Sequence, residues 1–142
     1  MVASGLCTTW VNTILGLIFG AVGSPYTAPA TLYVGLCTGV AADGTVTGEP
    51  SGNNYSRKSV TNDTDAWNTA ADGVVDNKAA ITFAEASGEW GTLDTVFIAN
   101  HSSNDGAAVI IYGTLAVEKT ITSGDTPSFA IGALDIGISP TT

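Results

Sequence analysis

The chain has 142 residues, 44% hydrophobic and only 12% charged, the length of one ordinary domain whose polarity comes mostly from Gly, Ser, Thr, Asn and Asp. Thirteen acidic residues against four basic ones, Arg57, Lys58, Lys78 and Lys119, leave a formal net charge of −9. Four cations are too few to neutralise a phosphate backbone, so no nucleic-acid partner is expected, and the length excludes a large multidomain enzyme.

The charge is unevenly placed, because no Asp, Glu, Lys or Arg precedes Asp43. A neutral stretch of that length is buried in its own chain, buried against another chain, or placed in lipid. Within it, Trp10 to Val22 reads WVNTILGLIFGAV. Trp10, Ile14 and Ile18 fall on one side of a helix, with Val11, Leu15, Phe19 and Val22 beside them, and a helix so apolar calls for burial all round. The run is shorter than the ~20 residues that span a bilayer, so no membrane is expected. Ala21-Val22-Gly23 has the small residues of a signal-peptide cleavage site, but no Lys or Arg stands in front of the run as an n-region requires. Gly16, Gly20 and Gly23 each weaken a lone helix by roughly 1 kcal/mol relative to Ala, so the segment needs a partner. The expectation is a helix or arm over residues 1–25, packed at a subunit contact through the candidate interface residues Trp10, Ile14, Leu15, Ile18 and Phe19.

From Ser24 onward the pattern is β. Pro25 and Pro29 break any helix, and Leu32, Val34 and Leu36 alternate on one face of Thr31–Cys37, a half-buried strand. GVAADGTVTGEPSGNN, residues 39–54, reads as a surface loop. Tyr55–Val60 restarts strand character and sends the adjacent Arg57 and Lys58 to opposite faces. Turns at Asn62–Asp65 and Ala71–Gly73 bracket Trp67, and Ile81 and Phe83 point inward from the next strand. Trp90 is the expected core anchor of the link EASGEWG, its N–H finding a carbonyl. Thr95–Ala99 is apolar on both faces, Asn104-Asp105-Gly106 is a hairpin signal, and Ala108–Tyr112 returns. Leu115, Val117, Lys119 and Ile121 share one face. Beyond the turn at Ser123–Asp125, Phe129, Ile131 and Ala133 begin a strand whose apolar phase then slips to Leu134, Ile136 and Ile138, which predicts a bulge or bend near Gly132 to Leu134. The fold class is all-β, an antiparallel β-sandwich or jelly-roll-like barrel over residues 26–142.

No motif for chemistry accompanies this pattern. Cys7 and Cys37 are thirty positions apart with no CxxC, and are expected as small buried hydrophobes. His101 sits in the turn Asn100–Ser103 without a GxSxG elbow to supply a nucleophile. Glu85 and Glu89 lie in a Gly-containing link as surface charges rather than as a glycosidase pair. Asp63, Asp65, Asp72 and Asp76 do not follow the EF-hand spacing, and no P-loop or GxGxxG is present. Neither an enzyme nor a cofactor nor a metal is expected.

Four stretches in order resemble a known family. They are Tyr26–Leu36 (YTAPATLYVGL) with Gly48–Arg57 (GEPSGNNYSR); Asn77–Phe83 (NKAAITF) followed by Ala86–Thr92 (ASGEWGT); Lys119–Thr126 (KTITSGDT); and Phe129–Leu134 (FAIGAL). They are similar to small tailed-bacteriophage virion proteins commonly labelled tail fiber protein. The resemblance implies a structural protein of the virion that contacts other virion proteins, either the major capsid protein or tail components. The N-terminal segment is more hydrophobic than the family pattern and lacks its basic residue.

Small size, the absence of a fibrous repeat and the apolar arm favour a capsid decoration or cement protein held by contact area. The alternative is a tail or tail-fibre component that binds a host receptor, with Tyr55 and Tyr112 available to stack on sugars. A secreted bacterial β-sandwich is a third option. Either phage role implies a homo-oligomer, dimer or trimer.

Overall fold

The computed structural model describes residues 3–19, 27–103 and 108–138. The elements run β1 (Ala3–Leu6), α1 (Thr8–Phe19), β2 (Thr31–Cys37), β3 (Gly39–Val40), β4 (Val46–Thr47), β5 (Lys58–Thr61), β6 (Val74–Asp76), β7 (Ile81–Thr82), β8 (Gly91–Ala99), β9 (Val109–Ile121), β10 (Ser128–Phe129) and β11 (Asp135–Gly137). A five-stranded antiparallel sheet in the order β1-β9-β8-β2-β5 is the backbone of the fold, and β10-β7, β11-β6 and β3-β4 form two-stranded sheets. The chain is therefore all-β with one helix. No barrel closes among the described residues, and short antiparallel pairs stand in place of the second full sheet that a sandwich would carry.

Alternation decides which side chains go where. Val34 and Leu36 of β2, Leu93, Val96 and Ile98 of β8, and Ile111 and Ile121 of β9 join Trp67, Ile81, Phe83, Trp90 and Leu134 in the larger core cluster. The intervening residues, Cys37, Phe97 and Ala99, point to the other face and pack with Cys7, Val46, Ala108 and Val109. Burial on both faces of the centre of the sheet accounts for the unbroken apolar run Thr95–Ala99. Cys7 and Cys37 are free and buried, and burial pushes the Cys37 thiol up to about 11.

The four motifs lock onto one another. Asn53 and Asn54 adopt positive φ, which turns the Asn53 carbonyl to accept from Trp90 Nε1 at 2.8 Å and from the Ser87 amide at 3.1 Å. Asn53 Nδ2 donates to the Glu89 carbonyl at 2.9 Å, and a β-carbon on Gly88 would lie 2.7 Å from Asn53 Cγ. A side chain at position 88 would force Asn53 out of that place. Asn77, completely buried, donates to the carbonyls of Ala79 and Ala130 at 2.8 Å each, while its Oδ1 accepts from the Leu134 amide at 2.8 Å. Asp125 closes the third motif through the Thr122 amide and hydroxyl at 2.7 and 3.0 Å, and its own carbonyl accepts from Ala86.

Several expectations need correction. Residues 39–54 are not simply a loop: β3 and β4 pair there, with Asp43 Oδ1 accepting the Thr45 amide in the turn. Ala108–Tyr112 and Leu115–Ile121 are parts of one 13-residue strand, β9, because the sheet partner β8 runs alongside both. Of the two forms expected for the phase slip near Gly132 to Leu134, the chain takes the bend and not a bulge within one strand. Ala130–Ala133 is a turn between β10 and β11, which pair with different partners, so Ile131 points into solvent. β1 and β6 carry too few residues for alternation to reveal them. The hairpin signal Asn104-Asp105-Gly106 lies outside the described residues, as do Gly20 to Tyr26.

Candidate interaction surface

Helix α1 is pinned at one end. The Cys7 carbonyl accepts from the amides of Trp10 and Val11, the Cys7 amide donates to the Ile110 carbonyl at 3.1 Å, and the Thr8 amide donates to the Ala42 carbonyl at 2.9 Å. The first turns therefore lie against the smaller core cluster, where Trp10 packs with Val40 and Tyr112 along its edge. No residue of the helix is buried. Trp10 and Ile14 are half-buried, whereas Leu15, Ile18 and Phe19 are 48%, 67% and 78% exposed. The five expected interface residues thus divide along the helix. Trp10 and Ile14 turn toward the sheet, whereas Leu15, Ile18 and Phe19 of the last two turns are exposed and, with Leu17 and Val11, make up an uncovered apolar stripe. The last turn of α1 carries no basic residue, so its terminal carbonyls lack a charge partner on the helix itself.

On the opposite face of the sheet, β9 lines an apolar groove. Leu115, Val117, Lys119 and Ile121, which share one face as the alternation requires, meet Leu93 of β8 and Phe129 of β10 around a cavity of about 430 Å³. Val117 is 65% exposed there. Among the described residues Lys119 makes no salt bridge.

A third feature is polar. Arg57 grips Glu49 with both prongs, Nε to Oε1 and Nη2 to Oε2 at 2.8 Å each, and its Nη1 donates to the His101 carbonyl at 3.0 Å. The guanidinium carbon lies 4.7 Å from the centroid of the Phe97 ring, and the Arg57 side chain is 1% exposed. Lys58 points to solvent, as adjacent strand positions require. Tyr55 Oη accepts the Leu36 amide at 3.0 Å and sits 3.0 Å from Glu49 Oε1; burial and the Glu49 carboxylate push its pKa up. Its ring packs edge-on against Trp90, so Tyr55 is a core strut and not a rim platform for sugars, and Tyr112 is half-buried. Sequence patterning missed this network because Glu49 stands in a loop eight residues from its partner.

None of these groups makes a nucleophile–base arrangement. The Ser103 amide and hydroxyl lie 3.3 and 3.2 Å from His101 Nδ1, a local turn contact. Glu85 and Glu89 are exposed and take part through their backbone carbonyls. Among the described residues no three His, Cys, Asp or Glu cluster as a metal site, and no helix is long and apolar enough to cross a membrane.

The result is a β scaffold whose motifs hold one another and which presents an apolar helix and an apolar groove at its surface. The chain belongs to the family described as Podophage GP4 fiber I protein gp80, which matches residues 5–137. Curated proteins return no match. The family membership makes this a phage fibre-type structural protein of the virion, associated with other virion components.

Proposed function

We propose that this protein is a non-enzymatic tail-fibre component that takes part in host recognition and is attached to its neighbours through α1. The single observation that carries the tail over the capsid is the family itself, described as a fibre protein and matched over nearly the whole chain, α1 included. The capsid decoration role, favoured above on size and on the apolar arm, fits that description less well. An exposed apolar stripe suits attachment in either place, because burying it removes hydrocarbon from water at about 25 cal/mol per Å².

The test is immunogold labelling of purified particles. Label confined to the tail supports the fibre role; label spread over the head at many copies per particle overturns it in favour of decoration. Binding of the full chain to host cells, competed by host surface glycans, would extend the role to receptor contact.

A further inference from the structure

The apolar stripe of α1 and the apolar groove of β9 belong to one chain yet cannot meet within it. α1 is held on the face of the sheet that carries Cys37 and Phe97, by the Cys7–Ile110 and Thr8–Ala42 hydrogen bonds. The groove opens on the other face, beside Leu93 and Ile121 of the larger cluster, at the far end of β9 from Ile110. Two largely apolar surfaces of this size, the groove carrying Lys119 at its side, are a costly exposure on a chain of net charge −9 unless something covers both.

We infer that α1 of one copy seats in the β9 groove of a second copy of the same chain. The inference rests on α1 as the attachment element and names its partner. Shape and charge agree. A cavity of about 430 Å³ is roughly three times the ~150 Å³ that accommodates one benzene, room for Leu15, Ile18 and Phe19 together. The C-terminus of a helix carries about half a negative charge, and α1 has no basic residue in its last turn to answer it. Lys119, at the groove, supplies that cation from the neighbouring copy. Because stripe and groove are different surfaces on opposite faces, the contact is head-to-tail and either closes into a ring or runs on as a filament.

The experiment is analytical ultracentrifugation of the full chain, wild type and variants, with circular dichroism melts confirming that each variant is folded. Ile18 and Val117 are both mostly exposed, so Ile18→Asp and Val117→Asp leave the fold intact. Wild type is expected to associate and each variant to be monomeric. An equimolar mixture of the two is expected to give a one-to-one dimer that grows no further, because the intact groove of Ile18→Asp accepts the intact helix of Val117→Asp. Lys119→Glu weakens association by at least about two- to fivefold. Wild type that stays monomeric at about 100 µM, above the micromolar range of weak specific interfaces, overturns the inference. So does a Val117→Asp variant that associates as wild type does, which would assign the stripe to a helix–helix contact. Neither outcome bears on where the protein lies in the particle, which the labelling decides separately.

Discussion

Phe97 and Gly35 face each other across β8 and β2, and a β-carbon on Gly35 would lie 2.1 Å from Cζ of the Phe97 ring. The ring occupies the space a side chain would need, and Arg57 stacks on it. Gly35→Ala should therefore destabilise the fold by about 1–3 kcal/mol through overpacking. Combining it with Phe97→Leu should cost less than the sum of the two single changes, since the smaller residue relieves the clash. Urea unfolding midpoints check both.

The Glu49–Arg57 pair is buried and bidentate. Glu49→Gln leaves the Arg57 cation without its counter-ion and should cost about 3–5 kcal/mol. Replacing both, Glu49→Leu with Arg57→Met, should be milder than Glu49→Gln alone. A double variant less stable than the single one, measured by urea titration, would show that the pair is a net source of stability.

Asn77 ties the Ile81–Phe83 strand to the Phe129–Leu134 turn. Asn77→Ala removes the side-chain partner of the Ala79 carbonyl and of the Leu134 amide, while the Ala130 carbonyl keeps the Ala133 amide; at ~1–3 kcal/mol for each group left unsatisfied, a loss of about 3 kcal/mol is expected. Hydrogen exchange should locate the loosening at the Leu134 amide.

The pH dependence has two limbs. A raised folded pKa gives stability that is present below the unfolded pKa and lost as pH rises through the folded one. Cys37, about 11 when folded, should erode stability upward from the ordinary thiol value near 8.5; Cys37→Ala should reduce that loss, while Cys7 and Tyr55, whose folded pKa values are also raised, keep the rest of it. Asp125 is the reverse case. Hydrogen bonds from the Thr122 amide and hydroxyl hold it below the usual carboxylate range, so its contribution is present above about 3.9 and lost as pH falls through its folded value. Asp125→Asn should remove that acid-side loss. Unfolding midpoints from pH 2 to 11 report both.

The helix residues separate by role. Ile18→Asp should change stability by no more than about 0.5 kcal/mol while preventing incorporation into particles. Trp10→Ala should cost about 1–3 kcal/mol, because Trp10 packs on the core. Melting curves and immunoblots of purified virions give the two readouts.

Much of the fold was legible from local pattern. The alternation in Thr31–Cys37, the two-sided run Thr95–Ala99 and the opposed Arg57 and Lys58 follow from the two-residue period of a strand, and Trp90 reaches a carbonyl because a buried indole N–H needs an acceptor. Short elements were not legible: three residues of β6 cannot establish a period, and β1 is a strand only because β9 is there to pair with it.

By itself the sequence determined the β class, the neutral apolar helix and the four stretches that carry the resemblance to phage proteins, since each is a property of neighbouring residues. Tertiary structure alone decided that Glu49 meets Arg57, that Asn53 and Asn77 clamp distant motifs together, and that the helix stripe and the β9 groove lie on opposite faces. Those are contacts between residues far apart in the chain, and no local period encodes which face of a sheet a distant segment will cover.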